Sequence, residues 1–108
     1  MKKIGIDGGT LLKDDSGLLA RSLYSSSEAK IIHMTLRPGA AVKPHVSPVD
    51  MEFFVLEGSG TFQLGEESAE AGAGNLLPCP RGVPHGMRND GPGDLRVLAI
   101  KNPRPEGE

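Results

Sequence analysis

Glycine and proline interrupt this chain at short intervals, and no other feature constrains its fold so strongly. The 108 residues include 15 glycines and nine prolines, spread along the whole chain and not confined to one low-complexity segment. Residues of these two types mark turns between short elements. No segment repeats its apolar residues every ~3.6 positions over three turns. The pattern therefore predicts short β-strands separated by turns.

The stretches between these turns alternate in the manner of strands. Ile32, Met34 and Leu36 fall on one face of their segment. His33 falls on the other face, where we expect a surface position or a subunit contact. The segment Glu57–Gly60 predicts a tight corner between two strands. Roughly eight or nine strands are expected, and with no helix to cover their edges the sheets should close on one another as a sandwich or barrel.

Composition narrows the class of protein. A length of 108 residues suits a single domain. The net charge is −2 and no cluster of basic residues is present, which argues against nucleic-acid binding. No apolar run approaches the ~20 residues that span a bilayer, and Asp7 interrupts the N-terminal segment where a signal peptide needs apolar residues. The single cysteine, Cys79, excludes an internal disulfide, so we expect a cytoplasmic protein with this thiol as a buried bystander.

Residues 74–89 carry the most specific motif of the chain. Its defined positions are Gly74, Pro80, Gly82, His85 and Asn89. The proline and second glycine form a corner that directs the next strand, on which His85 shares a face with Met87. Asn89 is placed to bond local backbone where that strand ends. This spacing resembles the second motif of the cupin family of the single-domain cupin 2 type. The resemblance implies an all-β double-stranded β-helix, or jelly-roll barrel.

A looser version of the first cupin motif precedes it, with Ser47 where the family has a second histidine. Its positions here are Gly39, His45, Ser47, Glu52 and Gly58. Glu52 is one residue too close to Gly58, so counting back from the glycine places Met51 at the ligand position. Strand parity also puts Met51 and Glu52 on opposite faces. A bulge near Val49–Asp50 would return Glu52 to the interior, so both arrangements remain open.

The resemblance implies a metal centre that faces into the barrel. The implied ligands are His45, Glu52 and His85, with Ser47, Met51 and Gln63 as further pocket residues. Two histidines and one carboxylate suit a divalent transition metal such as Fe, Mn, Ni or Zn. With Met51 inward, two imidazoles alone are expected to bind a divalent ion weakly.

Three classes of function follow. The leading one is a divalent-metal-binding protein that binds or transforms a small molecule, and its enzymatic form is an oxygenase-like or isomerase-like cupin. The alternatives are a metal-free module for small ligands and a dimeric structural subunit. Cupins are commonly homodimers, so a homodimer is expected.

Within the single domain we expect a barrel core at 28–101, an N-terminal edge strand or arm at 1–20 and a flexible tail at 102–108.

Overall fold

Ten strands make up the regular structure of the chain. A computed structural model describes residues 1–108. The strands are β1 (Thr10–Asp15), β2 (Leu18–Ser25), β3 (Lys30–Leu36), β4 (Ala41–His45), β5 (Asp50–Glu57), β6 (Ser59–Leu64), β7 (Glu67–Gly72), β8 (Leu76–Cys79), β9 (His85–Arg88) and β10 (Leu95–Asn102). No helix in the structure has the length and apolar character needed to cross a membrane.

The strands form two antiparallel sheets. A six-stranded sheet has the order β1-β2-β3-β10-β5-β8, and a four-stranded sheet has the order β4-β9-β6-β7. Strands that are distant in sequence therefore lie side by side, as in a double-stranded β-helix. The expected all-β jelly roll is confirmed.

The predicted corner at Glu57–Gly60 joins β5 to β6. Gly58 adopts a φ of 77° there. A Cβ at this position would stand 2.3 Å from the carbonyl oxygen of Asp94. Only glycine fits both the backbone conformation and this close approach. The corner carries the chain from the six-stranded sheet into the four-stranded one.

The core lies between the two sheets and follows the alternation of the strands. On β5, Met51, Phe53 and Val55 are 4%, 3% and 0% exposed, whereas the residues between them are half-buried. On β10, Val97 and Ala99 occupy the same layer. Burying a side chain the size of Phe53 stabilises the fold by about 2–3 kcal/mol. This inward layer also forms one wall of the site described below.

The two ends of the chain both contact the six-stranded sheet. At the N-terminal side, β1 and β2 extend that sheet beyond β3. At the C-terminal side, the Glu108 carboxylate accepts hydrogen bonds from Lys30 Nζ at 3.1 Å and from Lys101 Nζ at 2.8 Å. Burial alone would raise the pKa of Glu108, but the hydrogen bonds from the two lysines outweigh it and lower that pKa.

His33 does not lie at an exposed surface of this chain, which corrects that part of the expectation, whereas a subunit contact stays a prediction. It is 3% exposed, and its Nε2 atom has no hydrogen-bond partner. Arg21 and Leu98 occupy the opposing positions on the two neighbouring strands. Burial lowers the pKa of His33, the nearby Arg96 lowers it further, and Asp7 opposes both effects. The net effect favours the neutral imidazole.

Candidate functional site

An irregularity in β4 brings the two predicted histidines together. Val42 pairs with Met87 and His45 pairs with His85, so three steps along β4 match two steps along β9. The extra residue breaks the two-residue alternation, which lets Val42 and His45 face the same side. Pro44 lies inside the irregular stretch, and proline is tolerated in sheets at such positions.

The imidazole rings of His45 and His85 are in direct contact. Their Nε2 atoms lie 3.2 Å apart. The ring centroids are 4.3 Å apart, with an interplanar angle of 62°. His85 is 1% exposed, whereas His45 is open to solvent. The pair therefore connects the interior of the barrel to its surface.

In both rings the Nδ1 atom contacts a backbone carbonyl oxygen, and this contact orients the ring. His45 Nδ1 lies 3.2 Å from the carbonyl oxygen of Lys43, and His85 Nδ1 lies 3.3 Å from that of Val83. A carbonyl oxygen only accepts hydrogen bonds, so these contacts favour a proton on each Nδ1. In the neutral rings the free lone pairs then lie on the two neighbouring Nε2 atoms. This is the orientation that metal-binding histidines commonly have.

The surroundings of His85 favour its neutral form. Burial lowers its pKa, the carbonyl of Val83 partly opposes this effect, and the charges of His45 and Lys101 lower the pKa further. Phe53 packs against the ring with its centroid at 5.4 Å. A neutral imidazole with an open Nε2 can act as a metal ligand or as a hydrogen-bond acceptor.

The pair lies beside a cavity of about 110 Å³ inside the barrel. Most of its lining is apolar: Ile32, Met34, Val42, His45, Met51, Phe53, His85, Met87, Ala99 and Lys101. No carboxylate belongs to this lining. A cavity of this size suits a small ligand beside the histidines.

The structure does not bring Glu52 to the histidines, so the expected ligand set is corrected at this residue. Met51 lines the cavity, and the Glu52 carboxylate instead accepts a hydrogen bond from the Asn102 side-chain amide. The pairing of β5 with β10 is continuous from Asp50 to Val55, so no bulge near Val49–Asp50 reverses its parity. The register shifts only beyond Val55, too late to turn Glu52 inward.

Ser47 and Gln63 also lie outside the cavity lining. The Ser47 hydroxyl donates to the carbonyl of Val49 at 2.9 Å and accepts from its amide at 3.2 Å. These two hydrogen bonds stabilise the turn that leads into β5. Gln63 is exposed on β6 and donates to the carbonyl of Gly65. Of the three further pocket residues, the structure places only Met51 beside the two histidines.

Seven of the ten lining residues were not singled out as site residues from the sequence, and three of these, Met34, Met87 and Lys101, carry a sulfur or nitrogen atom in the side chain. Strand parity had placed Met34 with Ile32, and Met87 with His85, but their convergence depends on the pairing of distant strands. Lys101 continues the inward series of Val97 and Ala99 on β10, so the same parity signal could have identified it. It is the one permanently charged residue in the lining, and its ammonium group is paired with the Glu108 carboxylate.

The donor set fits a metal ion in part. Nitrogen atoms 3.2 Å apart can both bind one ion, because each metal–nitrogen bond is about 2.0–2.1 Å long. However, no group of three or more histidine, cysteine, aspartate or glutamate side chains converges anywhere in the structure. The residues thus suit a two-histidine site and do not supply the expected carboxylate.

Comparisons with known proteins agree with this fold. The family model of the cupin domain matches residues 32–101. The TT1209 protein of Thermus thermophilus is 30% identical, with 85% of this chain and 89% of that one covered and a TM-score of 0.80. No curated protein matches the chain.

Two further structures share the fold at lower identity. The polyketide cyclase RemF of Streptomyces resistomycificus is 22% identical, with a TM-score of 0.81 over 94% of this chain and 79% of that one. A predicted oxalate decarboxylase of Thermotoga maritima is also 22% identical, with a TM-score of 0.84 over 94% of this chain and 98% of that one. The motif, the two-sheet barrel and the match to the family model together show that the chain belongs to the cupin family.

Proposed function

We propose that this protein binds a transition-metal ion through His45 and His85 and presents it to a small organic ligand in the adjoining cavity. The observation that carries the proposal is the 3.2 Å separation of the two Nε2 atoms. Both Nδ1 atoms contact backbone carbonyls, so in neutral rings the free lone pairs lie on the two Nε2 atoms. A cation shared by these two atoms would offset the repulsion between their lone pairs.

The size and lining of the cavity define the class of ligand. About 110 Å³ admits a molecule of a few non-hydrogen atoms. A bound metal supplies a Lewis acid that polarises a ligand oxygen. Phe53 and the other apolar residues make most of the wall non-polar, and Lys101, its one charged residue, is paired with the Glu108 carboxylate. The neighbouring polyketide cyclase and predicted oxalate decarboxylase do not assign a substrate to this chain, because one barrel fold hosts many chemistries.

Metal analysis tests this proposal directly. Protein purified without chelators should contain close to one equivalent of a transition metal, measured by elemental analysis. His45→Ala and His85→Ala should each lose that metal. The matched control is His33→Leu, which removes the third histidine at a position outside the cavity lining and should retain it. Wild-type protein that takes up no transition metal after extensive loading would overturn the proposal, as would equal uptake by the alanine variants.

A second candidate is a metal-free site for small carboxylic acids. The polar side chains of the lining are two imidazoles and Lys101, whose ammonium also donates to the Glu108 carboxylate at 2.8 Å, and no acidic side chain belongs to the lining itself. In the presence of a chelator, acetate or propanoate should then raise the melting temperature of the protein. Lys101→Met should abolish the shift, because it keeps the length of the side chain and removes the charge. No shift in chelated wild-type protein would exclude this function.

We also propose that the protein is a homodimer that buries the outer face of the six-stranded sheet. Cross-strand pairs on that face join Ile31 to Ile100 and Leu98 to Phe54, and all four are only half-buried in the single chain. A sheet face of this kind can pair with its own copy about a two-fold axis. Light scattering should give twice the chain mass. Phe54→Arg should give a monomer, whereas Gln63→Arg on the other sheet should not.

A cytoplasmic location remains part of the proposal. Its support is the single buried cysteine, which fits a reducing compartment. Fractionation of cells that express the untagged chain tests it. Recovery of the protein outside the cytoplasm would contradict it.

A further inference from the structure

We propose that the cavity is a copper(I) site, in which His45, His85 and the thioether of Met51 bind the ion and Met34 and Met87 complete a sulfur-rich surround. This inference rests on the proposed metal-binding function and deepens it by assigning the class of ion. It follows from residues that converge only in the folded chain.

The methionines of this protein are concentrated at one place. The chain has four, and apart from Met1 all of them, Met34, Met51 and Met87, line the cavity beside the two histidines. They come from β3, β5 and β9, which belong to both sheets. No local repeat in the sequence produces this arrangement. Independent strands each contribute a sulfur atom to a lining of ten residues.

The type of donor selects the ion. Thioether and imidazole groups are soft or intermediate ligands, and sulfur from methionine favours copper(I), whereas magnesium, calcium and manganese favour oxygen. Here Met51 faces inward and Glu52 points away. The change from carboxylate to thioether therefore removes the hard donor at the position where the sequence motif leads one to expect it. Ser47 does not restore it, since its hydroxyl is bonded to the backbone of Val49.

The charge of the cavity favours a monovalent ion. No carboxylate lines it, and the one charged residue of its wall, Lys101, is paired with the Glu108 carboxylate. The free-energy cost of moving an ion out of water grows with the square of its charge, so a divalent ion costs about four times as much as a monovalent one. Neutral sulfur and nitrogen ligands offset less of that difference than a carboxylate would. Copper(I) combines a single charge with a preference for these atoms.

His45 provides the route by which the ion enters. It is exposed, whereas His85 is 1% exposed and Met51 is 4% exposed. An ion delivered to His45 at the surface needs to move only to the second Nε2 atom, 3.2 Å away, to come under the methionines. The site is thus open at His45, whereas His85 and Met51 are buried.

The test compares ions and variants in the full chain. Metal-free protein is titrated under anaerobic conditions with copper(I) in competition with bicinchoninate, and in parallel with zinc and nickel in competition with a chromogenic indicator. We expect one equivalent of copper(I), bound more tightly than zinc or nickel. Met51→Leu should weaken copper(I) at least tenfold and leave the affinity for zinc unchanged. X-ray absorption should detect sulfur in the first shell of the wild-type site and less of it in this variant.

The choice of variants distinguishes a loss of copper(I) affinity from a folding defect. Met51→Leu nearly conserves volume, so its metal-free melting temperature should stay close to that of the wild type. Should this variant fail to fold, Met87→Leu serves in its place, with a smaller expected loss of copper(I) affinity. His85→Ala should abolish binding of all three ions.

The failure of this inference is distinguishable from the failure of the proposed function. If zinc or nickel binds through the histidines while copper(I) binds no more tightly, or if Met51→Leu leaves copper(I) affinity unchanged, the methionines serve only to pack the core. The copper(I) assignment is then wrong, although metal binding survives. Protein that binds none of the three ions overturns both proposals.

Discussion

Gly86 on β9 lies directly against Val42 on β4, at the irregular stretch that turns His45 inward. A Cβ added to Gly86 would stand 2.8 Å from the Val42 carbonyl oxygen and 3.0 Å from the Pro44 nitrogen. Both are backbone atoms, so they cannot move aside by a change of rotamer. The absence of a side chain at Gly86 thus permits the approach of strands that brings the two imidazoles into contact.

Gly86→Ala should therefore separate the histidines as well as destabilise the protein. We expect a loss of about 1–3 kcal/mol in the free energy of unfolding, which is typical of overpacking. Metal uptake should fall strongly even in the folded fraction. Gly93→Ala is the matched control, because an added Cβ there meets no atom within 4 Å. Equal effects of the two substitutions on metal uptake would contradict this account.

Asn89 should matter through its hydrogen bonds. Its side chain is 1% exposed, donates to the carbonyls of Leu36 and Gly93 at 2.8 Å each, and accepts from the Gly91 amide at 2.9 Å. Asn89→Ala should cost about 3 kcal/mol, at roughly 1 kcal/mol for each lost bond. Urea denaturation measures this loss. The exposed Asn75 makes one such bond, so Asn75→Ala should cost about 1 kcal/mol or less.

Stability should decline in mild acid because of His33. Burial, assisted by Arg96, lowers the pKa of His33 below its usual 6.5, so below that pH the unfolded chain binds a proton that the folded chain does not. This contribution is complete above pH 6.5 and is lost as the pH falls toward the folded-state pKa. His33→Leu should flatten the pH dependence of the free energy of unfolding between neutral and mildly acid pH. Identical curves for the two proteins would refute the prediction.

Cys79 should be unreactive in the native protein. It is 2% exposed, and burial, with a smaller contribution from the charge of Asp50, raises the pKa of its thiol. Reactivity requires the thiolate, so Ellman's reagent should modify the native chain very slowly and yield one equivalent at once in urea. Rapid reaction of the folded protein would show that the thiol is accessible after all.

Local sequence patterns were sufficient to predict the features of the structure that depend on residues close together in the chain. The corner before β9 directs His85 inward, and Asn89 bonds local backbone as its position predicted. Parity along β5 placed Met51 and Glu52 on opposite faces, and the structure agrees with the parity and not with the proposed bulge. These features follow from turn chemistry and the two-residue period of a strand, which act over a few residues.

The contacts between distant parts of the chain depend on how the strands pair. Sequence spacing identified His45 and His85 as candidates, but their contact depends on an irregular pairing of β4 with β9, which no local pattern records. The gathering of three methionines and Lys101 in one cavity depends in the same way on the register between β3, β5, β9 and β10. The burial of His33 likewise depends on the pairing of β3 with β2 and β10, which places Arg21 and Leu98 beside it. Periodicity shows which side a residue takes, but only the packed sheets determine which residues stand opposite.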